Sequence, residues 1–260
     1  MSPLLEVKNL AKSYGGVQAV NDVSFSLGRG EILALIGPNG AGKSTCFNLL
    51  NGQIGADAGS VRIAGRDTKG MRPSAIARLG VGRTFQITAT FGSMTVLENV
   101  QTALISFRRE FWRFFARAGG MHQEDAQRLL DLAGMGDEAH RPCAELAYGD
   151  LKRLELAIAL ANEPALLLMD EPTAGMAPTE RGKFMQLVAS IVKEKNIGVL
   201  FTEHDMDAVF AHANRVMVLA RGELVAQGTP EAVRNDPMVR AIYLGEGLVY
   251  GERYRAGAPA

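Results

Sequence analysis

Nine consecutive residues carry the plainest chemistry in this chain: Gly37, Pro38, Asn39, Gly40, Ala41, Gly42, Lys43, Ser44 and Thr45. Four residues separate Gly37 from Gly42, and a lysine and a hydroxyl residue follow at once, which is the spacing of a phosphate-cradling loop. Gly37, Gly40 and Gly42 let the backbone curl, because they lack a Cβ and tolerate positive φ. A curled loop aims successive N–H groups at one anion, and a helix starting at its end adds the positive pole of its dipole. Lys43 is placed to reach the β- and γ-phosphates of a nucleotide, and Ser44 to ligate Mg²⁺.

A second group stands at Leu166 to Pro172, reading LLLMDEP. Four apolar residues predict a strand buried on both faces, with Asp170 and Glu171 at its end. In parallel sheets, ligands bind at the carboxyl ends of strands. Adjacent strand residues point to opposite faces, so the two acids take different work. Asp170 suits the Mg²⁺ shell, usually through water, and Glu171 suits the polarising of an attacking water as general base.

These groups need a scaffold, and the flanking pattern supplies one. Apolar residues at 5, 7 and 10, at 17, 19 and 20, and at 23, 25 and 27 predict strands, with Gly28 and Gly30 marking a turn. The apolar run Ile32 to Ile36 predicts the strand feeding the loop, and Ser44 to Leu50 the helix leaving it. Two short strands are expected around Gly59. From about Pro73 the pattern turns helical, and mostly helices are expected between Phe91 and Glu145, with a break at Gly119–Gly120. Helical spacing over 151–161 is followed by strand 165–169, helix 179–195, strand 198–202, helix 206–213 and strand 215–219. Alternating strands and helices predict a mostly parallel sheet covered by helices. The tail from about Gly245 is expected to fray.

Composition bounds the rest. The chain has 260 residues, 47% hydrophobic and 22% charged, ordinary globular values. Lys plus Arg equals Asp plus Glu at 28 each, so the net charge is zero. That argues against a dedicated nucleic-acid binder. Cys46 and Cys143 show no metal-ligand or CxxC spacing, so a reducing compartment is expected, with Cys46 a small buried filler. The N-terminal MSPLLEVKNL lacks the character of a signal peptide. No segment offers the roughly 20 apolar residues that span a bilayer, so any membrane role runs through a partner.

Further residues, in order, carry a resemblance. The sequence resembles the ATP-binding subunits of ABC transporters over nearly its whole length. Tyr14 stands where that family stacks an aromatic on adenine. Gln86, in VGRTFQ, matches the hinge glutamine that senses Mg²⁺ or water and the membrane partner. Ala147, Tyr148 and Gly149, in LAYGD, match the signature loop ahead of a helix. Asp170 and Glu171 follow. Ala174 to Pro178 matches the loop crossing the dimer interface, and His204, in TEHD, the switch histidine at the γ-phosphate.

The resemblance implies an α/β P-loop NTPase fold: an ABC-type ATPase core with a mostly parallel sheet, N-terminal antiparallel strands and an inserted helical subdomain. Residues 1–86 and 151–244 are expected to form the core, 87–150 the helical part and 245–260 a tail. It implies ATP and Mg²⁺ as ligands, with Lys43, Gln86, Glu171 and His204 catalytic and Ser44, Gln86 and Asp170 around the metal. It implies a second ATPase subunit, transmembrane permease subunits and, indirectly, a substrate-binding protein. The expected place is peripheral, on the cytoplasmic face of the inner membrane.

The signature departs from the commonest family form. Ala147 replaces the serine that contacts the opposing γ-phosphate, Tyr148 replaces the first glycine and Asp150 replaces the glutamine. In the crossing loop, Ala177 stands where many members have Asp or Asn. The Tyr-Gly signature, VGRTFQITATFGSMTVLENV and the stretch GTPEAVRNDPMVRAIYLGEG resemble ATPases of branched-chain amino acid importers and their relatives for urea and amides. A lipid or lipopolysaccharide exporter ATPase and a soluble ABC ATPase are the other classes. Phe107 to Gly120 mixes Arg with aromatics around Trp112. It reads either as a helix packed inside the helical part or as a contact with the permease or the inner lipid surface.

Overall fold

The computed structural model describes residues 2–84, 90–108 and 121–244. In chain order, β1 (Leu5–Tyr14) and β2 (Val17–Leu27) precede β3 (Ile32–Ile36) and α1 (Lys43–Leu50). β4 (Ala58–Ile63), β5 (Arg66–Asp67), α2 (Pro73–Ala77) and β6 (Val81–Thr84) follow. Then come α3 (Val96–Arg108), α4 (Gln123–Leu132), α5 (Tyr148–Leu160), β7 (Leu166–Asp170), α6 (Pro178–Lys195) and β8 (Gly198–Thr202). The described chain ends with α7 (Met206–His212), β9 (Arg215–Ala220), β10 (Glu223–Gly228), α8 (Pro230–Arg234) and α9 (Pro237–Leu244).

The strands form two sheets. β2-β1-β4-β5 is antiparallel, and β10-β9-β3-β8-β7-β6 is parallel except for the β9–β10 hairpin. The central strands are buried on both sides, which is why they read as unbroken apolar runs. Their alternate residues serve two separate cores. Leu33, Leu35, Leu166, Leu168, Leu200, Met217 and Leu219 face α1 and the antiparallel sheet. Ile32, Ala34, Ile36, Leu167, Met169, Val199 and Phe201 face the helices on the other side, including α5 and α6.

A third apolar cluster joins α3, α4 and α5 through Val96, Leu97, Val100, Leu104, Ala126, Leu130 and Leu154. The start of α3 is fixed by a reciprocal cap. Thr95 N–H donates to the Glu98 carboxylate (2.8 Å) and Glu98 N–H to the Thr95 hydroxyl (3.2 Å). α5 belongs to two cores at once: Leu154, Ala157 and Ala161 beside it join the helical cluster, while Leu156, Ala159 and Leu160 face the sheet.

One expectation needs correction. The helical pattern after Pro73 holds only through α2, after which Val81–Thr84 is a strand pairing with β7. Gly82 permits this, because a Cβ there would lie 2.9 Å from the Ala159 carbonyl oxygen on α5. Beyond the expected elements the chain also forms β10, an edge strand of half-buried residues, and the short helices α8 and α9. Gln86, the Arg109–Gly120 part of the aromatic stretch and the tail from Gly245 lie outside the described residues.

Candidate nucleotide-binding and hydrolysis site

The ends of β3, β7 and β8 meet at one rim of the parallel sheet, and the polar residues gather there. The phosphate loop leaves β3 and turns into α1. Gly42 caps that helix at φ 103°. A Cβ on Gly42 would lie 2.1 Å from the Ala19 carbonyl oxygen, and one on Gly37 2.1 Å from that of Leu219. The loop is thus wedged between β2 and β9, and both glycines are required by contact as well as conformation.

Lys43 is buried and folds back over its own loop. Its Nζ donates to the carbonyls of Gly37 (2.7 Å) and Pro38 (3.2 Å). Burial pulls the Lys43 ammonium below its ordinary pKa, while Glu171 and Asp170 pull in the other direction. The ammonium therefore shares the electrostatic field of both acids. Ser44 is exposed in the first turn of α1. Burial pushes the Tyr243 hydroxyl, on α9, up to about 12, with the Gly37 backbone pulling the other way.

Asp170 and Glu171 are held apart by Thr202, at the end of β8. The Thr202 hydroxyl donates to Asp170 Oδ1 (2.7 Å). The Glu171 N–H donates to the Thr202 hydroxyl (3.0 Å) and carbonyl (3.1 Å). Glu171 adopts φ 48°, a left-handed conformation rare for a residue with a side chain. Such a residue costs on the order of 1 kcal/mol and persists where its surroundings hold it. The turn sends the Glu171 side chain to His204, whose Nε2 is 2.9 Å from Glu171 Oε1. Asp170 Oδ2 faces Arg83 Nη2 at 3.8 Å.

The segment 173–177 is tied to the same rim. Glu203 is buried and accepts from the Thr173 N–H (2.8 Å), the Thr173 hydroxyl (2.6 Å) and the His204 N–H (3.1 Å). Arg181, on α6, donates to the Met176 carbonyl (2.9 Å) and pairs with Asp205 (2.6 Å). The Asp205 carboxylate also caps α7 through the N–H groups of Asp207 and Ala208. Ala147 caps α5, so Tyr148, Gly149 and Asp150 form its first turn.

Lys43, Ser44, Asp170, Glu171 and His204 thus belong to neighbouring ends of one sheet. Tyr14 stands at the exposed tip of the β1–β2 hairpin, with Lys12 Nζ 5.5 Å from its ring centroid. The hairpin reaches the loop at Ala19. Thr202, Glu203, Arg181 and Arg83 escaped the sequence reading. The buried run Gly198–Thr202, ending in a hydroxyl and an acid beside His204, was the signal for Thr202 and Glu203.

Ser44 and Asp170 offer the oxygen donors that Mg²⁺ takes. Among the described residues no three His, Cys, Asp or Glu side chains converge as a metal cage. The donor set therefore fits Mg²⁺ as it is held with nucleotide phosphates, not in an all-protein site. A cleft of about 640 Å³, lined in part by Leu104, Arg108, Leu129, Pro164 and Ile197, lies elsewhere. Pro164 and Ile197 precede β7 and β8, so it opens at the opposite rim of the sheet.

Residues 20–174 match the family model described as ABC transporter, and residues 223–249 the one described as branched-chain amino acid ATP-binding cassette transporter. The chain is 40% identical over 252 residues to LivG of Salmonella typhimurium, a high-affinity branched-chain amino acid transport ATP-binding protein. That alignment covers 94% of this chain and 98% of the relative. BraF of Pseudomonas aeruginosa, similarly described, is 37% identical over 251 residues, covering 94% and 98%. A crystal structure of an ABC transporter cassette in its ADP conformation superposes with TM-score 0.85 at 30% identity, covering 94% of this chain and 100% of that one. A nucleotide-free cassette gives TM-score 0.82 at 30% identity, covering 93% and 99%.

Proposed function

Because the chain belongs to the ATP-binding subunits of ABC transporters, we propose that it powers the import of branched-chain amino acids. ATP binding and hydrolysis in the service of transport come with the family. The observation that carries the cargo is the match of residues 223–249 to the branched-chain amino acid cassettes. That segment lies outside the phosphate loop and the acids, so ATPase chemistry alone does not account for it. The likeness to LivG and BraF along nearly the whole chain supports the same reading.

In this reading two ATPase subunits close head to tail on ATP beneath two permease subunits, and closure drives the permease. A substrate-binding protein delivers the cargo. The chain acts at the cytoplasmic face of the inner membrane, as a peripheral subunit. No helix among the described residues is long and apolar enough to cross a membrane. Binding energy favours the closed state, and hydrolysis removes the phosphate that holds it.

The residues divide the work. The N–H groups of the loop from Gly37 to Thr45 cradle the phosphates, and Lys43 exchanges its loop carbonyls for phosphate oxygens. Ser44 and Asp170 would hold Mg²⁺, which would supply neutralisation of phosphate charge. Thr202 keeps Asp170 and Glu171 in separate directions. Glu171 orients the attacking water and takes its proton, and His204 contacts the γ-phosphate. Tyr14 stacks on the adenine.

Uptake tests the cargo. Cells lacking the gene should lose uptake of labelled leucine and regain it when the gene is restored. Loss of urea uptake in place of leucine uptake would move the assignment to the urea and amide relatives. Unchanged uptake of both would overturn the importer reading.

A further inference from the structure

We propose that Tyr148 is a positioning residue that locks the signature loop to the crossing loop of its own subunit, so that both segments meet an opposing nucleotide as one surface. The proposal rests on the reading of ATP-driven closure given above.

The contact is made by the ring. Gly175, in the crossing loop, has φ 81°. A Cβ built on it would lie 2.9 Å from Tyr148 Cε1 and 3.2 Å from Cζ. The ring therefore rests against the space where a side chain would stand, and Gly175 is needed for room as well as conformation. One turn further along α5, Lys152 Nζ lies 5.6 Å from the ring centroid, within cation–π range. That ammonium is itself fixed: Lys152 is 2% exposed and pairs with Glu155 at 2.9 Å. Tyr148 remains 42% exposed, so the helical core does not need it as filling.

A second approach links the signature loop to the start of α6, just past the crossing loop. A Cβ on Gly149 would lie 3.5 Å from the Glu180 carboxylate, in the first turn of α6. Thr173, just ahead of the crossing loop, is tied to the backbone of His204 through Glu203. Glu203 accepts from the Thr173 N–H and hydroxyl and from the His204 N–H. A continuous set of contacts thus runs from His204 through Glu203 and residues 173–175 to Tyr148. His204 serves the subunit's own nucleotide and Tyr148 borders the loop that serves its partner's. With glycine at 148, the commoner family residue, the ring contact vanishes and the two loops move independently.

The test uses the assembled transporter and the isolated full chain, with Tyr148→Ala, Tyr148→Gly and Tyr148→Phe. In the transporter, Tyr148→Ala and Tyr148→Gly should raise the ATP concentration for half-maximal hydrolysis about tenfold, while Tyr148→Phe stays within about twofold. The isolated chain should bind a fluorescent ATP analogue with unchanged affinity in all three, because its own phosphate loop is untouched. Hydrogen exchange on the isolated chain should quicken at residues 173–177 in Tyr148→Ala and Tyr148→Gly and stay native in Tyr148→Phe. Native exchange at 173–177 in Tyr148→Ala, or native ATP dependence in Tyr148→Gly, would overturn the proposal. So would a Tyr148→Phe variant as impaired as Tyr148→Ala, since the ring is retained there. Failure of the closure reading shows differently: the unsubstituted transporter would then lack ATPase activity, while the exchange experiment still reads the contact.

Discussion

His204 Nε2 and Glu171 Oε1 lie 2.9 Å apart. An ionised carboxylate oxygen only accepts, so the pair forms with the ring proton on Nε2 as donor. The proposed base and the proposed γ-phosphate contact therefore orient each other, and Thr202 holds the backbone of the base in its left-handed turn. Glu171→Gln keeps an oxygen for the histidine but removes the base. Phosphate release should fall by about 10² or more. ATP affinity should be unchanged, because Lys43 and the loop are intact. Native turnover in Glu171→Gln would remove Glu171 from its role.

Glu203 sets the geometry of two loops from one buried carboxylate. Glu203→Ala leaves the Thr173 N–H and hydroxyl and the His204 N–H without their acceptor. Stability should drop by about 3 kcal/mol, read as a lower denaturant midpoint. Glu203→Gln retains an acceptor and should lose less. If Glu203→Ala melts like the native chain, water replaces the carboxylate there and the two loops are held by other means.

Asp205 links stability to acid. Its hydrogen bond from Arg181 comes first, and the N–H groups of Ala208 and Asp207 add to it, holding the carboxyl below the usual carboxylate range. A depressed folded value means the contribution is full above the unfolded value of about 4 and fades as pH falls through the folded one. Asp205→Asn keeps a capping oxygen and loses the ion pair. It should cost about 1 kcal/mol at pH 7, less at high salt, because both side chains are partly exposed. Melting curves of the two proteins should converge as pH drops below about 4. A gap that persists at low pH would place the cost in the cap and not in the charge.

Cys46 is fully buried beneath the phosphate loop, and burial pushes its thiol up to about 12. The thiolate is the reactive form, so iodoacetamide at pH 8 should leave Cys46 unmodified in the native chain and label it in urea. Cys46→Ser should destabilise by about 2 kcal/mol, since the site gives a hydroxyl an apolar enclosure. Rapid native labelling would mean that α1 opens readily.

The sequence displayed what depends on local pattern. The runs at 32–36, 166–169 and 198–202 announced the buried strands, and their polar ends announced Asp170 and Glu171. What escaped is made by contacts between distant segments. β6 has four residues, one of them a glycine, too short for any periodicity, and becomes a strand because β7 and α5 give it a place. β10 is an edge strand whose half-buried residues blur alternation. Arg181 looks like an ordinary polar residue until folding brings Met176 and Asp205 beside it, and Glu203, placed at a strand end by the pattern, gains its partner Thr173 only in the fold. Tyr148 was visible as a departure at the signature, but its partner Gly175 was not.

α5 is a single rod shared by two cores, and that limits how the molecule can articulate. If the helical cluster swings, either the rod travels with it and slips over the sheet at Leu156, Ala159 and Leu160, or it stays and the swing shears past Leu154 and Ala157. Its first turn carries the signature loop. In the first case that loop sweeps with the bundle, and in the second it stands still while the bundle moves behind it. Ala157 and Ala159 are buried on opposite flanks, so a Leu at either should overpack one core and leave the other as it is.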